Sequence, residues 1–292
     1  MIGELLSATM VAETLQTAVP YVCASTGGIW SERSGVVNIA LEGMLLAGGL
    51  AGVAAHLATG SAWAGLASGA AMGAAIGAVH AAVVVRGRVD AIVSGLAINL
   101  AAAGGTRVAL RALYGSSSNS PAIVGFASAM GGSSGTALLV RTLLEPTTLA
   151  AAGLVGWTAW ILASTRLGLR VRACGDGAEA AASAGVDVGR VRMAAVSIGG
   201  AIAGLGGVAL AYDQHRFESG MSGGRGFIAL AAVILSGWRP GRTALACLAF
   251  AALEAAQFVL QQPSGAAAAL APMLPYVATL VVLALVGLRR RR

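Results

Sequence analysis

Two carboxylates, Glu42 and Glu254, fall in apolar runs long enough to lie inside a bilayer. A charge at that depth costs about 2.5–3.5 kcal/mol on insertion scales, so each must answer to a partner or to a polar pathway. An interhelical hydrogen bond that fixes packing would satisfy either one. So would a lining for a permeant solute or a coupling ion. Glu254 shares a helical face with Gln257, three residues on, which favours the lining. For Glu42 the two readings stay level. Asn38 lies close by on the same segment, and Asn99 sits inside another apolar run, where a packing hydrogen bond is the simpler role. Phe227 follows the glycine-rich string ESGMSGGRG, whose backbone is tolerated at membrane depth only where it lines a cavity or is buried in protein. Arg107 and Arg111 are one turn apart near the end of a run, where they either snorkel to the interface or face a polar pore.

A second concentration of polar chemistry is Arg166–Arg192, RLGLRVRACGDGAEAAASAGVDVGRVR, a polar island between long apolar runs. Asp176 and Glu179 have the spacing of a capping box, Ala180–Ala182 favour helix, and Gly185 supplies a stop. The island therefore predicts a short helix over Asp176–Gly185 held in water. Arg172 and Arg190 belong to the arginines that flank it. Such a helix is either a solvated connection or a docking element for a soluble partner.

The elements that position these residues follow from composition. The chain is 57% hydrophobic and 11% charged, with a mean hydropathy of +0.80. Charged groups normally make up about a quarter of a soluble chain, so this is an all-α, polytopic membrane protein. The 42 glycines and abundant alanine suit close helix contact in lipid. The net charge of +7 comes wholly from arginine, since the chain has no lysine. These arginines sit mainly in loops and at the C-terminal end, which is membrane topology rather than a nucleic-acid surface. The cysteines, Cys23, Cys174 and Cys247, are too scattered for a disulfide framework or a zinc site.

Apolar runs predict spans near 5–29, 36–58, 61–85, 91–113, 147–165, 193–212, 226–238, 243–261 and 272–288, about nine with a range of eight to ten. The seventh is too short for a simple crossing and reads as tilted, broken or re-entrant. Arginine placement puts Arg33, Arg86 and Arg88, the island, Arg239 and Arg242, and the 289–292 tail on the cytoplasmic side. The Ser/Gly-rich stretch 114–146 and the stretch 213–224 then lie outside. Broken segments in each half, Gly27–Gly43 and Glu218–Leu230, fit a transporter built from inverted repeats.

Without lysine the chain cannot form a Walker A phosphate loop, and it carries no GxSxG or HExxH motif. It reads as a non-enzyme. Active transport would draw on an ion gradient, with Glu42 or Glu254 as coupling site, or on a separate ATPase.

Four strings carry a resemblance: ERSGVVNIALEGMLLAG from Glu32, RVDAIVSGLAINL from Arg88, GLRVRACGDGAEAAASAGVDVGRVR from Gly168 and GRGFIALAAVILSGWRP from Gly224. In order and spacing they resemble permease subunits of bacterial ABC importers, closest to the nucleoside and simple-sugar branch of the group that includes branched-chain amino acid permeases. The closing LPYVATLVVLAL from Leu274 is similar too. The resemblance implies one transmembrane permease domain over residues 1–292, with 166–192 as its cytoplasmic coupling loop and 114–146 outside. It implies that the island is the coupling helix, with Asp176, Glu179, Gly185, Arg172 and Arg190 meeting an ATPase. It also implies two cytoplasmic ATPase subunits that bind the ATP, a second permease chain, an extracytoplasmic binding protein and a bacterial inner membrane. The chain itself would hold no cofactor. Cys174 departs from the small apolar residue the pattern leads one to expect. A branched-chain amino acid permease remains the nearest alternative.

Overall fold

A computed structural model describes residues 7–126 and 135–261, together with Val277. The expected span 272–288 and the 289–292 tail lie, but for Val277, outside the described residues. Among the described residues eleven helices follow one another: α1 (Ala8–Arg33), α2 (Leu41–Thr59), α3 (Ala62–Ala81, extended by a π turn over Ala82–Arg86), α4 (Ala91–Tyr114), α5 (Gly135–Leu144), α6 (Pro146–Ser164), α7 (Arg166–Asp176), α8 (Ala178–Ser183), α9 (Val188–Asp213), α10 (Arg225–Ser236) and α11 (Pro240–Gln261). Among the described residues there is no strand beyond one isolated bridge, Asn119 to Glu218.

Side-chain caps set several starts. Ser7 accepts the Met10 N–H at 3.2 Å, and Asp90 accepts those of Ile92 and Val93 at 2.8 and 3.1 Å. Asp187 accepts the Arg190 N–H at 3.0 Å. Among the described residues, five helices are long and apolar enough to cross a membrane: α2, α3 with its π turn, α4, α6 and α9. The protein is a multi-pass membrane protein. With 26 and 22 residues, α1 and α11 have the length as well, whereas α10 has only 12 residues, about 18 Å of helix.

Helices α1 and α9 form the centre. From Ala18 to Ser31 every residue of α1 is buried. It crosses α9 where Gly27 meets Gly199, and a methyl added to either glycine would strike the carbonyl of the other. The opposite side of α9 lies on α3 in the same way, Gly204 against the Gly69 carbonyl. Lipid offers helices no hydrophobic reason to associate, so backbone-close packing of this kind must supply it. Helix α2 fills the space beside α3 and α9, with α4 outside it, while α5, α6, α10 and α11 pack on α1. Trp30 Nε1 donates to Thr158 Oγ1 at 3.0 Å and ties α1 to α6.

The two ends differ. At one, Gly175 lies over the Arg33 carbonyl, Gly189 approaches Val85, and Arg192 reaches Ser34, so three of the arginine-bearing stretches, those of Arg33, of Arg86 and Arg88 and of the island, meet there. At the other, 118–123 pairs with 215–219 through Ser120 N–H to Phe217 O (2.9 Å) and Ile123 N–H to His215 O (2.8 Å). One expectation changes there. The stretch 114–146 is not all loop, because TALLVRTLL carries enough apolar residues to fold as α5 against α1.

Candidate coupling and translocation sites

The polar island folds as two helices, not one. Thr165 caps α7 by accepting the Gly168 N–H at 3.1 Å, and Gly168, Val171 and Cys174 form its buried stripe at helical spacing. Asp176 is therefore the exposed last residue of α7 and caps nothing. Helix α8 starts after Gly177 with no side-chain cap, and Glu179 stands exposed in its first turn. The capping-box reading fails because the arginine-rich segment before Asp176 is itself amphipathic and claims that residue. Gly185 does stop the helix. Its φ of +81° lets its own N–H reach Ala182 O (2.9 Å) and the Val186 N–H reach Ala181 O (3.0 Å). Arg190 is exposed and pairs with Asp187 at 3.0 Å. Arg172 is half-buried, with its Nε unpaired.

This pair of helices is bolted down by Arg192. Its Nε donates to Ser34 O at 3.0 Å and its Nη2 to Cys174 O at 3.2 Å, joining the ends of α1 and α7 to the start of α9. Burial pushes the Cys174 thiol up, against the nearby Arg192 guanidinium, so it stays protonated. Between α7, α8 and the first turn of α9 lies a groove of about 1010 Å³, with Arg166, Arg170 and Arg190 on its rim alongside Asp176 and Asp187.

The intramembrane polar residues behave differently. Glu42, in the first turn of α2, accepts the Gly224 N–H at 2.8 Å and the Gly226 N–H at 2.7 Å. Those are orphan amides at the start of α10, where the helix dipole also favours a carboxylate. A methyl on Gly226 would press on the Glu42 backbone. Between the two glycines, Arg225 turns the other way. It ion-pairs with Glu254 of α11, which also accepts the Tyr21 hydroxyl of α1 at 2.7 Å. The string GRG therefore joins α10 to α2 by its backbone, and to α1 and α11 through its arginine. Asn99 of α4 accepts the Gly43 N–H at 2.8 Å and donates to Ile39 O at 3.0 Å, capping α2 from outside. Asn38 is fully buried and donates to Ser31 Oγ at 3.0 Å, leaving its Oδ1 unpaired.

The family model described as the permease component of the branched-chain amino acid transport system covers residues 10–285. This chain belongs to that permease family. It is 32% identical over 302 residues to the nucleoside ABC transporter permease protein NupC of Lactococcus lactis, which spans 94% of this permease and 91% of its relative. It is also 32% identical over 242 residues to the guanosine ABC transporter permease protein NupQ of Bacillus subtilis, covering 79% and 76%. A putative glucose ABC transporter permease protein, TsgC13 of Haloferax volcanii, is 32% identical over 267 residues, covering 88% and 79%. No solved structure matches the chain. The permease is a transport protein rather than an enzyme.

Of the residues singled out from sequence, the structure thus ties Glu42, Asn99 and Glu254 into helix contacts. Phe227 remains 45% exposed on α10, and Gln257 is half-buried on α11. The permease also relies on Arg225, Arg192 and Tyr21, which sequence reasoning did not assign. An arginine inside an apolar segment always needs a partner, and that was the available signal for Arg225. Which carboxylate it would meet, 29 residues away, was not in the sequence.

Proposed function

We propose that this permease is one membrane-spanning half of an ABC importer for a nucleoside or simple sugar in a bacterial inner membrane, working with a second permease chain. Cytoplasmic ATPase subunits bind the ATP, and an extracytoplasmic binding protein delivers the solute. Asp176, Glu179, Gly185, Arg172 and Arg190 form the coupling surface of α7 and α8. The observation that carries this reading is the exposed α7–α8 groove, held to α1 and α9 by Arg192. A partner that seats there moves the ends of the two central helices directly.

When ATP draws the ATPases together, α7 and α8 follow, and the permease halves rock about a shared pathway. Each state is favoured by its own contacts, so no covalent chemistry is needed in this chain. The expected nine spans, with α10 re-entrant from its Glu42-held start, belong to this proposal. Phe227 faces outward from α10 and offers a flat apolar surface to a base or sugar ring, with Gln257 as a further polar contact. The engagement of Glu42 and Glu254 by internal donors counts against an ion-coupled carrier.

Two measurements test this. Purified in mild detergent with the proteins encoded beside it, the chain should bring down an ATPase. Glu179→Arg should then cut ATPase retention or solute-stimulated ATP hydrolysis several-fold while leaving thermal unfolding unchanged. Normal transport by that variant, or uptake driven by an ion gradient without ATP, would sink the proposal.

A further inference from the structure

At the end of the molecule opposite the coupling groove lies a cavity of about 550 Å³ whose lining, among the described residues, is Arg107, Ser117, Ser118, Asn119, Glu218 and Ser219. All six side chains are polar, in a chain that is 57% hydrophobic. The sequence left Arg107 as either snorkelling or pore-facing. The structure turns it into this bowl, with its Nε donating to Ser219 Oγ at 2.9 Å.

The walls are fixed by backbone. Ser219 N–H donates to Ser118 O at 2.7 Å, Ser120 N–H to Phe217 O at 2.9 Å, and Phe217 N–H to the buried Ser120 Oγ at 3.0 Å. Side-chain bonds then orient the lining. Ser116 Oγ donates to Asn119 Oδ1 at 3.1 Å, which leaves the Asn119 amide as a donor. Arg216 pairs with Glu218 Oε1 at 2.6 Å at the exposed edge of the bowl, which leaves Oε2 as an acceptor. Among the described residues Arg107 pairs with no carboxylate, so its terminal nitrogens are free donors.

A fixed rim that presents a carboxylate acceptor beside guanidinium and amide donors complements neighbouring hydroxyls. Each hydroxyl can donate to the acid and accept from the cation or amide. The volume lies within the ordinary range for small-molecule sites. The bowl opens five residues before the Gly224 start of α10, at the head of the segment that leads to Phe227. From this the geometry points to a diol-binding site, at which the vicinal hydroxyls of a ribose or hexose are held by Glu218, Asn119 and Arg107 on the way to the pathway. This inference rests on the nucleoside or sugar reading above and names the part of the solute the permease itself recognises.

The test uses proteoliposomes holding the complete importer with its binding protein. Uptake of guanosine is compared with that of 2′,3′-dideoxyguanosine, and uptake of glucose with that of 2,4-dideoxyglucose, which has no two hydroxyls on adjacent carbons; the pair that is carried identifies the source of the diol. Glu218→Gln and Asn119→Ala should each lower uptake of the intact compound about tenfold and leave uptake of its deoxy counterpart and basal ATP hydrolysis unchanged. Arg216→Gln, which removes the ion pair but not the lining acceptor, should change uptake less than twofold. Equal losses for both members of a pair, no loss at all, or an Arg216→Gln effect matching that of Glu218→Gln would each overturn the site. If the unaltered assembly carries neither guanosine nor glucose, the parent reading falls first and this inference falls with it.

Discussion

Set side by side, the GRG string at the start of α10 and the α7–α8 pair show two opposite uses of charge in one permease. At the first, two carboxylates and an arginine lie among apolar helices, and every charge meets a partner on another helix: Glu42 the amides of Gly224 and Gly226, Arg225 the carboxylate of Glu254. At the second, Glu179 and Asp176 are exposed and their carboxylates meet no partner among the described residues, and the ion pair Asp187–Arg190 lies on the surface. Charges in a low-dielectric interior must be matched within the chain, because water cannot match them. Charges left open on a rigid projection are available to another protein.

Breaking the buried pair should have the largest effect. Arg225→Ala leaves Glu254 uncompensated and should cost about 3–5 kcal/mol, read as a loss of folded protein in detergent melts. The double change Arg225→Met with Glu254→Met should recover most of that stability. If the single variant melts like the parent, the pair is not structural. Next comes Glu42→Ala, which strips two amides of their acceptor and should cost about 1–3 kcal/mol, while Glu42→Gln, which keeps an acceptor for one of them, should cost less. A third change sharpens the contrast from the other side. Gly185→Val forces a β-branched residue to φ +81°, a strain of about 1–3 kcal/mol confined to α8, and should uncouple ATP hydrolysis from uptake while the spans melt normally. Global unfolding by this variant would show that the island is part of the core.

The smallest effect is expected at Glu145, half-buried between α5 and α6. Burial raises its carboxyl, partly offset by a hydrogen bond from Thr147, while Asp213 pushes it further up and Arg141 and His215 pull it down. A carboxyl whose folded pKa lies above its unfolded value binds its proton more readily when folded, so stability falls as pH rises through that window. Glu145→Gln should therefore melt slightly higher than the parent at pH 7, with the gap closing as the pH is lowered below the ordinary carboxylate range. A gap that is independent of pH would assign the effect to packing instead.

Much of the fold was legible because membranes impose simple rules. Long apolar runs gave α2, α3, α4, α6 and α9 to within a few residues, and arginine placement anticipated that the turns of Arg33, of Arg86 and Arg88 and the island meet at one end. The island was legible as helical, but not as two helices, because local capping patterns cannot rank Asp176 as a start against the amphipathic stripe of Gly168, Val171 and Cys174. Glu42 and Glu254 were visible as expensive residues, yet their partners lie more than 180 and 29 positions away in the chain.

Sequence by itself determined that this is a helical, multi-pass membrane protein, since that property depends on composition and on runs along the chain. Only the tertiary structure decided which charges are closed and which are open. Whether a carboxylate is a latch or a contact depends on what another helix brings within about 3 Å of it, and no pattern along one chain records that distance.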